Sequence, residues 1–161
     1  MSEFPYPPSW DRAGLESVGF RGFVTFDDVR IPRHLELPKT HGIYAVVRPG
    51  STKRAFTSTS LAKGKPYEVE TLVGRWVEDS PILYIGKADP AKGGIHSRVK
   101  QYARRGSSHT GGRAIWQLAD ANELLVGWAP TGDELGRTVE QRWITRFEET
   151  FGRKPFANVA S

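Results

Sequence analysis

Four residues of this chain have the types and order needed for chemistry on a phosphate ester. Tyr44 ends the tripeptide Gly-Ile-Tyr and Tyr84 begins the tripeptide Tyr-Ile-Gly, with Arg98 and Glu140 following later in the chain. A tyrosine can activate water, an arginine can contact a phosphate through two N–H groups, and a glutamate can hold a divalent cation. Together they are suited to phosphodiester hydrolysis, provided that the fold brings them together.

Both tyrosines lie in short apolar segments that predict β-strands. The first strand is expected from Ile43 to Arg48, before a Pro-Gly pair, and the second from Ile82 to Ile85, ended by Gly86. A third strand is expected from Glu123 to Trp128. These segments predict a small three-stranded sheet.

Two helices are expected to carry the charged residues. A helix over about 95–105 places Arg98 and Tyr102 on one face, because they are four residues apart. A second helix should open with a capping box, Thr131 to Glu134, and stop at Gly152. Its apolar line is formed by Leu135, Val139, Trp143, Phe147 and Phe151, and Glu140 lies at the border of that line.

The two tripeptides, with the residues that follow them, resemble the GIY-YIG nuclease superfamily, specifically a standalone bacterial-type domain. Further matches are Lys87 after the second tripeptide, Tyr102 beside Arg98, and Asn158 near the end of the chain. The resemblance covers about Gly42 to Asn158. It implies an α+β fold, in which a small central three-stranded antiparallel sheet is flanked by helices, and the activity of a metal-dependent endonuclease on DNA.

The resemblance also implies a division of roles among the residues. Glu140 would hold one Mg²⁺ or Mn²⁺ ion, Arg98 would bind the scissile phosphate, and a tyrosine would activate the water. Tyr44 is preferred over Tyr84 as the base, although both remain open. A free tyrosine has a pKa of about 10, so positive charge nearby must lower it. The other residues expected to support catalysis or bind nucleic acid are Gly86, Lys87, Tyr102, Lys100, Arg104, Arg105, His109, Arg113 and Asn158.

The charge distribution favours a polyanionic partner. The formal net charge is +5, and the stretch from Lys87 to Arg113 has seven basic residues against one acid, Asp89. The alternative is a solvated basic helix. His109 is a secondary candidate for a base, and Asn158 could contact a phosphate or orient a neighbouring group.

The length of 161 residues predicts one domain with an N-terminal extension, residues 1–40, and an insertion between the two tripeptide strands, residues 45–80. An apolar cluster around Phe20 to Phe26 should pack on the sheet as a short strand or turn. The insertion, with a helix or strand expected around Glu68 to Val77, either shapes a substrate cleft or is a structural extension.

The composition excludes several classes of protein. There is no cysteine, which rules out disulfides and fits a reducing compartment, and no segment has the length of a membrane span, so we expect a cytoplasmic protein. DNA is the expected partner and RNA the alternative, with a homodimer or a partner protein as a source of specificity. The alternative functions are a nucleic-acid-binding module that does not cleave and an enzyme of another class on the same scaffold.

Overall fold

The computed structural model describes residues 3–31, 35–50, 52–62, 64–88, 93–105 and 112–158. Over these ranges the chain forms one four-stranded sheet, five α-helices and two short 3₁₀ helices. In chain order the elements are α1 (Arg12–Ser17), β1 (Arg21–Thr25), α2 (Phe26–Arg30), β2 (Gly42–Val47), α3 (Val69–Arg75), β3 (Ile82–Ala88), α4 (Gly94–Ala103), the 3₁₀ helices Arg113–Gln117 and Ala121–Glu123, β4 (Leu125–Pro130) and α5 (Gly136–Phe151). No helix in the described ranges combines the length and apolarity needed to cross a membrane.

The sheet is antiparallel throughout, with strand order β1-β4-β2-β3. The α+β class is confirmed, but the prediction of three strands is wrong, because the apolar cluster of the N-terminal extension contributes β1 as a fourth. A bulge separates Gly22 from Val24, and Phe23 between them has a φ of +57°. This irregular backbone breaks the alternation of apolar and polar residues by which a strand is recognised.

Both tripeptides lie in paired strands, as predicted, but β3 is longer than expected. It continues through Gly86 and Lys87 to Ala88, so Gly86 lies within the ladder. Gly86 is opposite Tyr44 on β2, and Tyr84 is opposite Val46. Lys87 is therefore held by a strand rather than by a loop.

Apolar side chains cover both faces of the sheet. On one face α5 packs through Val139, Trp143 and Phe147, which are fully buried, as their spacing predicted. On the other face α2, α4 and the first 3₁₀ helix pack against a core that includes Tyr44 and Val46. Tyr44 consequently faces α4, whereas α5 lies behind the sheet.

The capping box predicted for α5 does not form, and the helix begins at Gly136. The Glu134 carboxylate instead accepts hydrogen bonds from Arg142 at 2.8 and 2.9 Å and from the backbone N–H of Phe4 at 2.5 Å. The Thr131 hydroxyl donates to the Glu134 carbonyl oxygen at 2.6 Å. The prediction fails because an arginine of the helix and the N-terminal segment both bind the carboxylate that the box requires.

Glycines fix both ends of α5. Gly152 ends the helix as predicted, with a φ of +82° and its N–H donating to the Glu148 carbonyl at 2.8 Å. At the start, a Cβ on Gly136 would lie 2.1 Å from the carbonyl oxygen of Gly42, so only glycine allows the helix to sit this close to β2. This contact places Glu140, one turn later, beside the ends of β2 and β3.

The insertion contains a helix, α3, whose Leu72 is fully buried. One buried side chain, Gln117, ties the insertion to the rest of the protein. Its amide donates to the carbonyls of Thr57 and Tyr67 at 3.1 and 2.9 Å and accepts from the Tyr67 N–H at 2.8 Å. The path of the chain around Tyr67 is therefore fixed.

Candidate active site

Three tyrosines from three different elements pack their rings together; we call Tyr44, Tyr84 and Tyr102 the tyrosine cluster. The ring centroids are 6.0 Å apart for Tyr44 and Tyr84, 5.8 Å for Tyr44 and Tyr102, and 5.4 Å for Tyr84 and Tyr102. Tyr44 and Tyr102 are fully buried, and Tyr84 is 7% exposed. The cluster forms because Tyr44 and Tyr84 face the same side of the sheet, where α4 covers them.

Gly86, the glycine of the second tripeptide, is required for a steric reason. A Cβ on Gly86 would lie 2.3 Å from Cζ and 2.6 Å from the hydroxyl oxygen of Tyr44. Any side chain at this position would displace the Tyr44 ring. The tripeptide pattern therefore places the Tyr44 hydroxyl directly against the backbone of β3.

Gly112 is a contact of the tyrosine cluster that the sequence reading did not single out. A Cβ there would lie 2.6 Å from the Tyr102 hydroxyl oxygen and 3.0 Å from Cε2 of Tyr84. The Tyr102 hydroxyl donates to the Gly112 carbonyl at 2.5 Å. The only sequence signal was the Gly111-Gly112 pair, which does not by itself indicate which ring it touches.

Three charged side chains influence the cluster or one another. Burial raises the pKa of Tyr44 and of Tyr84, the charge of Glu140 adds to the rise at Tyr84, and Arg98 on α4 opposes the rise at both tyrosines. Burial also raises the pKa of Glu140, and Lys87 and Arg98 oppose that rise. The structure thus brings together the four predicted catalytic residues, with Lys87, near the edge strand β3.

Burial dominates the protonation of the tyrosines. It raises the pKa of Tyr44 well above its ordinary value, with a further contribution from Tyr84, and Arg98 only partly opposes this. Burial and the charge of Glu140 raise the pKa of Tyr84 to about 12. The positive charges of the chain alone therefore do not bring the tyrosine pKa below its ordinary value, because desolvation of a buried phenolate outweighs the effect of Arg98. The lowering expected from positive charge nearby then depends on the bound metal ion and stays a prediction.

The Tyr44 hydroxyl is buried and makes no hydrogen bond of regular geometry within the described ranges. Tyr84 and Arg98 are within hydrogen-bonding reach of it and affect its pKa, so they satisfy the hydroxyl in part. Buried hydroxyls are nearly always fully paired, so one that is paired only in part needs an explanation. A water molecule or a substrate oxygen would provide the missing partner.

Glu140 is suited to hold a divalent cation. In the part of the chain that the structure describes, its half-buried carboxylate makes no ion pair and no hydrogen bond, and burial raises its pKa despite Lys87 and Arg98. A bound cation would offset this desolvation. Among the described residues no group of three or more His, Cys, Asp and Glu side chains surrounds a common point. A cation here would therefore have Glu140 as its protein carboxylate, with water and substrate oxygens as further ligands.

Asn158 binds the outer edge of β3. Its side-chain amide accepts from the Ile85 N–H at 3.0 Å and donates to the Ile85 carbonyl at 2.9 Å. The adjacent Ala157 N–H donates to the Leu83 carbonyl at 2.8 Å. Asn158 was expected either to contact a phosphate or to orient a neighbouring group. These contacts match the second role, because they hold the strand that carries Tyr84.

The other basic candidates are spread over several surfaces. Lys100 donates to the Val29 carbonyl at 3.4 Å, and Arg105 lies over the Trp116 ring at 5.2 Å, so both lie toward α2 and the 3₁₀ helix. Lys87 and Arg104 are exposed, and Arg113 donates to the Lys65 carbonyl at 2.7 Å. His109, like Asp89 and Lys92, lies outside the described residues.

Similarity to known proteins assigns no family. Comparison of the chain with protein-family models, with curated proteins and with solved structures finds no match. The case for a function depends on the residues and contacts described above.

Proposed function

We propose that this protein is a metal-dependent endonuclease that hydrolyses phosphodiester bonds in DNA, with the site organisation of the GIY-YIG superfamily that the sequence resembles. One observation carries the proposal. A buried tyrosine hydroxyl without a regular hydrogen bond, an arginine and an unpaired half-buried carboxylate occur together at one edge of the sheet. A water molecule would complete the bonding of the hydroxyl, and a cation would complete that of the carboxylate. Arg98, which donates to Gln101 at 3.4 Å, carries a charge that a phosphate would bind.

The residues of the chain have distinct tasks in this proposal. Arg98 binds the scissile phosphate through its guanidinium fork. The Tyr44 hydroxyl positions the attacking water. After losing its own proton to solvent, it receives a proton from that water as the water oxygen bonds to phosphorus and the P–O bond to the leaving oxygen breaks. Tyr84 holds the Tyr44 ring in place. Glu140 would hold Mg²⁺ or Mn²⁺, which supplies positive charge to the developing phosphoryl oxygens and to nearby hydroxyls. Lys87 adds positive charge from β3.

A nucleic-acid-binding module that does not cleave is the second candidate. Full burial of Tyr44, together with the raised pKa of both tyrosines on the strands, favours it, because a protonated and inaccessible tyrosine is a poor base at neutral pH. The unpaired Glu140 weighs against it, because a binding module has no need of a carboxylate beside its phosphate contacts.

A cleavage assay tests the proposal. Supercoiled plasmid and single-stranded DNA are incubated with wild type, with Glu140→Gln and with Glu149→Gln, an exposed glutamate of the same helix paired with Arg146. Wild type and Glu149→Gln should cut with Mg²⁺ or Mn²⁺ and not with EDTA, and Glu140→Gln should lose activity by about 10²–10⁴-fold. DNA binding by wild type without cutting under any metal condition would support the binding module instead.

A further inference from the structure

We propose that a basic groove beside the tyrosine cluster, built by α3 of the insertion and the turn after α5, binds backbone phosphates of the nucleic-acid strand next to the scissile bond. We call it the basic groove. Its cavity is lined by Arg75, Arg153 and Lys154, and Arg113 lies beyond the cavity, on the Tyr67 ring that it shares with Arg75. The inference rests on the proposed function for the nature of the ligand. It also assigns a role to the insertion, which the sequence left open.

Two arginines share one tyrosine ring at this place. The Cζ of Arg113 lies 4.6 Å and that of Arg75 5.7 Å from the Tyr67 ring centroid. An aromatic ring attracts guanidinium groups, and this attraction offsets the electrostatic repulsion between the two cations. Because Gln117 fixes the backbone of Tyr67 on both sides, the ring keeps both cations in place.

These two charges are not neutralised by the protein. Within the described ranges neither Arg75 nor Arg113 forms an ion pair with a carboxylate. In addition, Nη1 of Arg75 and Nε of Arg113 are buried and have no hydrogen-bond partner among the described residues. Both side chains are partly exposed, so an incoming phosphate can contact their accessible N–H groups and neutralise cations that have no carboxylate partner among the described residues.

A cavity of about 400 Å³ extends from Arg75 along the turn that follows α5. Its charged and polar lining is formed by Arg75, Glu148, Arg153, Lys154 and Asn158, with three cations against one acid. Arg153 connects the turn after α5 to the end of α3, because it donates to the carbonyls of Gly74 and Trp76 at 2.7 and 3.2 Å. The groove thus has a shape determined by main-chain contacts.

The groove is adjacent to the candidate active site at both of its ends. Arg113 follows Gly112, which contacts the rings of Tyr84 and Tyr102. At the other end, Asn158 is bonded to Ile85, the residue after Tyr84. A strand whose scissile phosphate is at Arg98 would pass Tyr84 and continue along the groove, and a chain of phosphates is the ligand that a row of cations fits best.

DNA binding in EDTA tests the inference with the full chain. The affinity of a fluorescein-labelled single-stranded oligonucleotide and of its duplex is measured by anisotropy at several salt concentrations. Arg75→Gln and Arg113→Gln should each weaken binding about 10-fold and lower the slope of log affinity against log salt by about one. Arg75→Lys should keep the salt slope and recover part of the affinity.

Arg146→Gln is the matched control. Arg146 also lies over a tyrosine ring, 3.9 Å from the Tyr6 centroid, but on the outer side of α5. It should bind DNA like the wild type. Thermal melting of every variant identifies any loss of affinity that comes from unfolding.

The outcomes separate the groove from the nuclease. If the wild type cleaves DNA but Arg75→Gln and Arg113→Gln bind like Arg146→Gln, the groove is wrong and the proposed function stands. If binding depends on Arg75 and Arg113 but no metal condition gives cleavage, the groove is supported and the nuclease is wrong. If the wild type binds neither oligonucleotide in EDTA, the groove is overturned, and if it also cuts DNA under no metal condition, the nuclease is overturned with it.

Discussion

Replacing Tyr44 by phenylalanine should stabilise the protein while removing its proposed activity. The Tyr44 ring is fully buried in the tyrosine cluster, and its hydroxyl makes no hydrogen bond of regular geometry within the described ranges. A buried polar group left unpaired costs about 1–3 kcal/mol of folding free energy. Phenylalanine keeps the ring and removes that group.

The expected gain lies at the lower end of this range. Tyr84 and Arg98 are within hydrogen-bonding reach of the Tyr44 hydroxyl and compensate part of the contact with water that it loses on folding. We therefore expect Tyr44→Phe to raise the free energy of unfolding by about 1 kcal/mol. In a chain of 161 residues this raises Tm by roughly 2–4 °C.

Tyr102→Phe is the matched control, because Tyr102 is equally buried in the same cluster. Its hydroxyl donates to the Gly112 carbonyl at 2.5 Å. Losing that bond leaves a buried carbonyl without this donor and should lower the free energy of unfolding by about 1 kcal/mol. The two substitutions remove the same atom and should shift Tm in opposite directions.

The assay is thermal and urea unfolding followed by circular dichroism at neutral pH in EDTA. Cleavage by Tyr44→Phe should fall by about 10²–10⁴-fold in spite of the higher Tm. If Tyr44→Phe lowers Tm as much as Tyr102→Phe does, the Tyr44 hydroxyl has a partner, and the argument from its unpaired state is refuted.

Four further predictions concern the carboxylate, the glycine and the asparagine of the site, and the first two of them concern the carboxylate. Because burial raises the folded-state pKa of Glu140, Glu140→Gln should be more stable than wild type in EDTA above that pKa, and the difference should vanish in unfolding experiments as pH falls below the ordinary value of 4.5. Saturating Mg²⁺, at 100 times its Kd, should stabilise the wild type by about 2.7 kcal/mol and leave Glu140→Gln unchanged. Gly86→Ala should lower the free energy of unfolding by about 1–3 kcal/mol through overpacking, whereas Gly74→Ala, whose Cβ meets nothing within 4 Å, should not; urea unfolding compares them. Asn158→Ala should accelerate amide hydrogen exchange at Ile85, whose N–H it bonds at 3.0 Å, and an unchanged rate would show that the tail does not hold β3.

Local sequence patterns predicted the helices and strands that are determined by interactions between residues close in the sequence. The apolar line of α5 and the glycine at its end gave the helix, and the apolar runs around Tyr44 and Tyr84 gave two paired strands. The spacing of Arg98 and Tyr102 placed both on α4. In each case the deciding interactions are within a few residues, so the sequence pattern carries them.

Contacts between distant residues could not be predicted in this way. Glu134 is taken from its capping role by Phe4, 130 residues away, and Asn158 pairs with Ile85 across 73 residues. The pKa of Tyr44 could not be predicted either. Burial raises it and Arg98 opposes the rise, and only the fold determines how completely the ring is covered. Phe23 lies in a β-bulge between two paired residues of β1, and no alternation of apolar residues in the sequence indicates this bulge.

Hydrolysis of DNA in water enriched in ¹⁸O tests the central claim most directly. A labelled oligonucleotide is incubated with the wild-type protein in Mg²⁺ or in EDTA. The ¹⁸O content of the terminal phosphates of the products is then measured by mass spectrometry. The account predicts one ¹⁸O atom in each new phosphate terminus, with no product in EDTA. Products without ¹⁸O, products that form equally in EDTA, or intact DNA under every metal condition would contradict it.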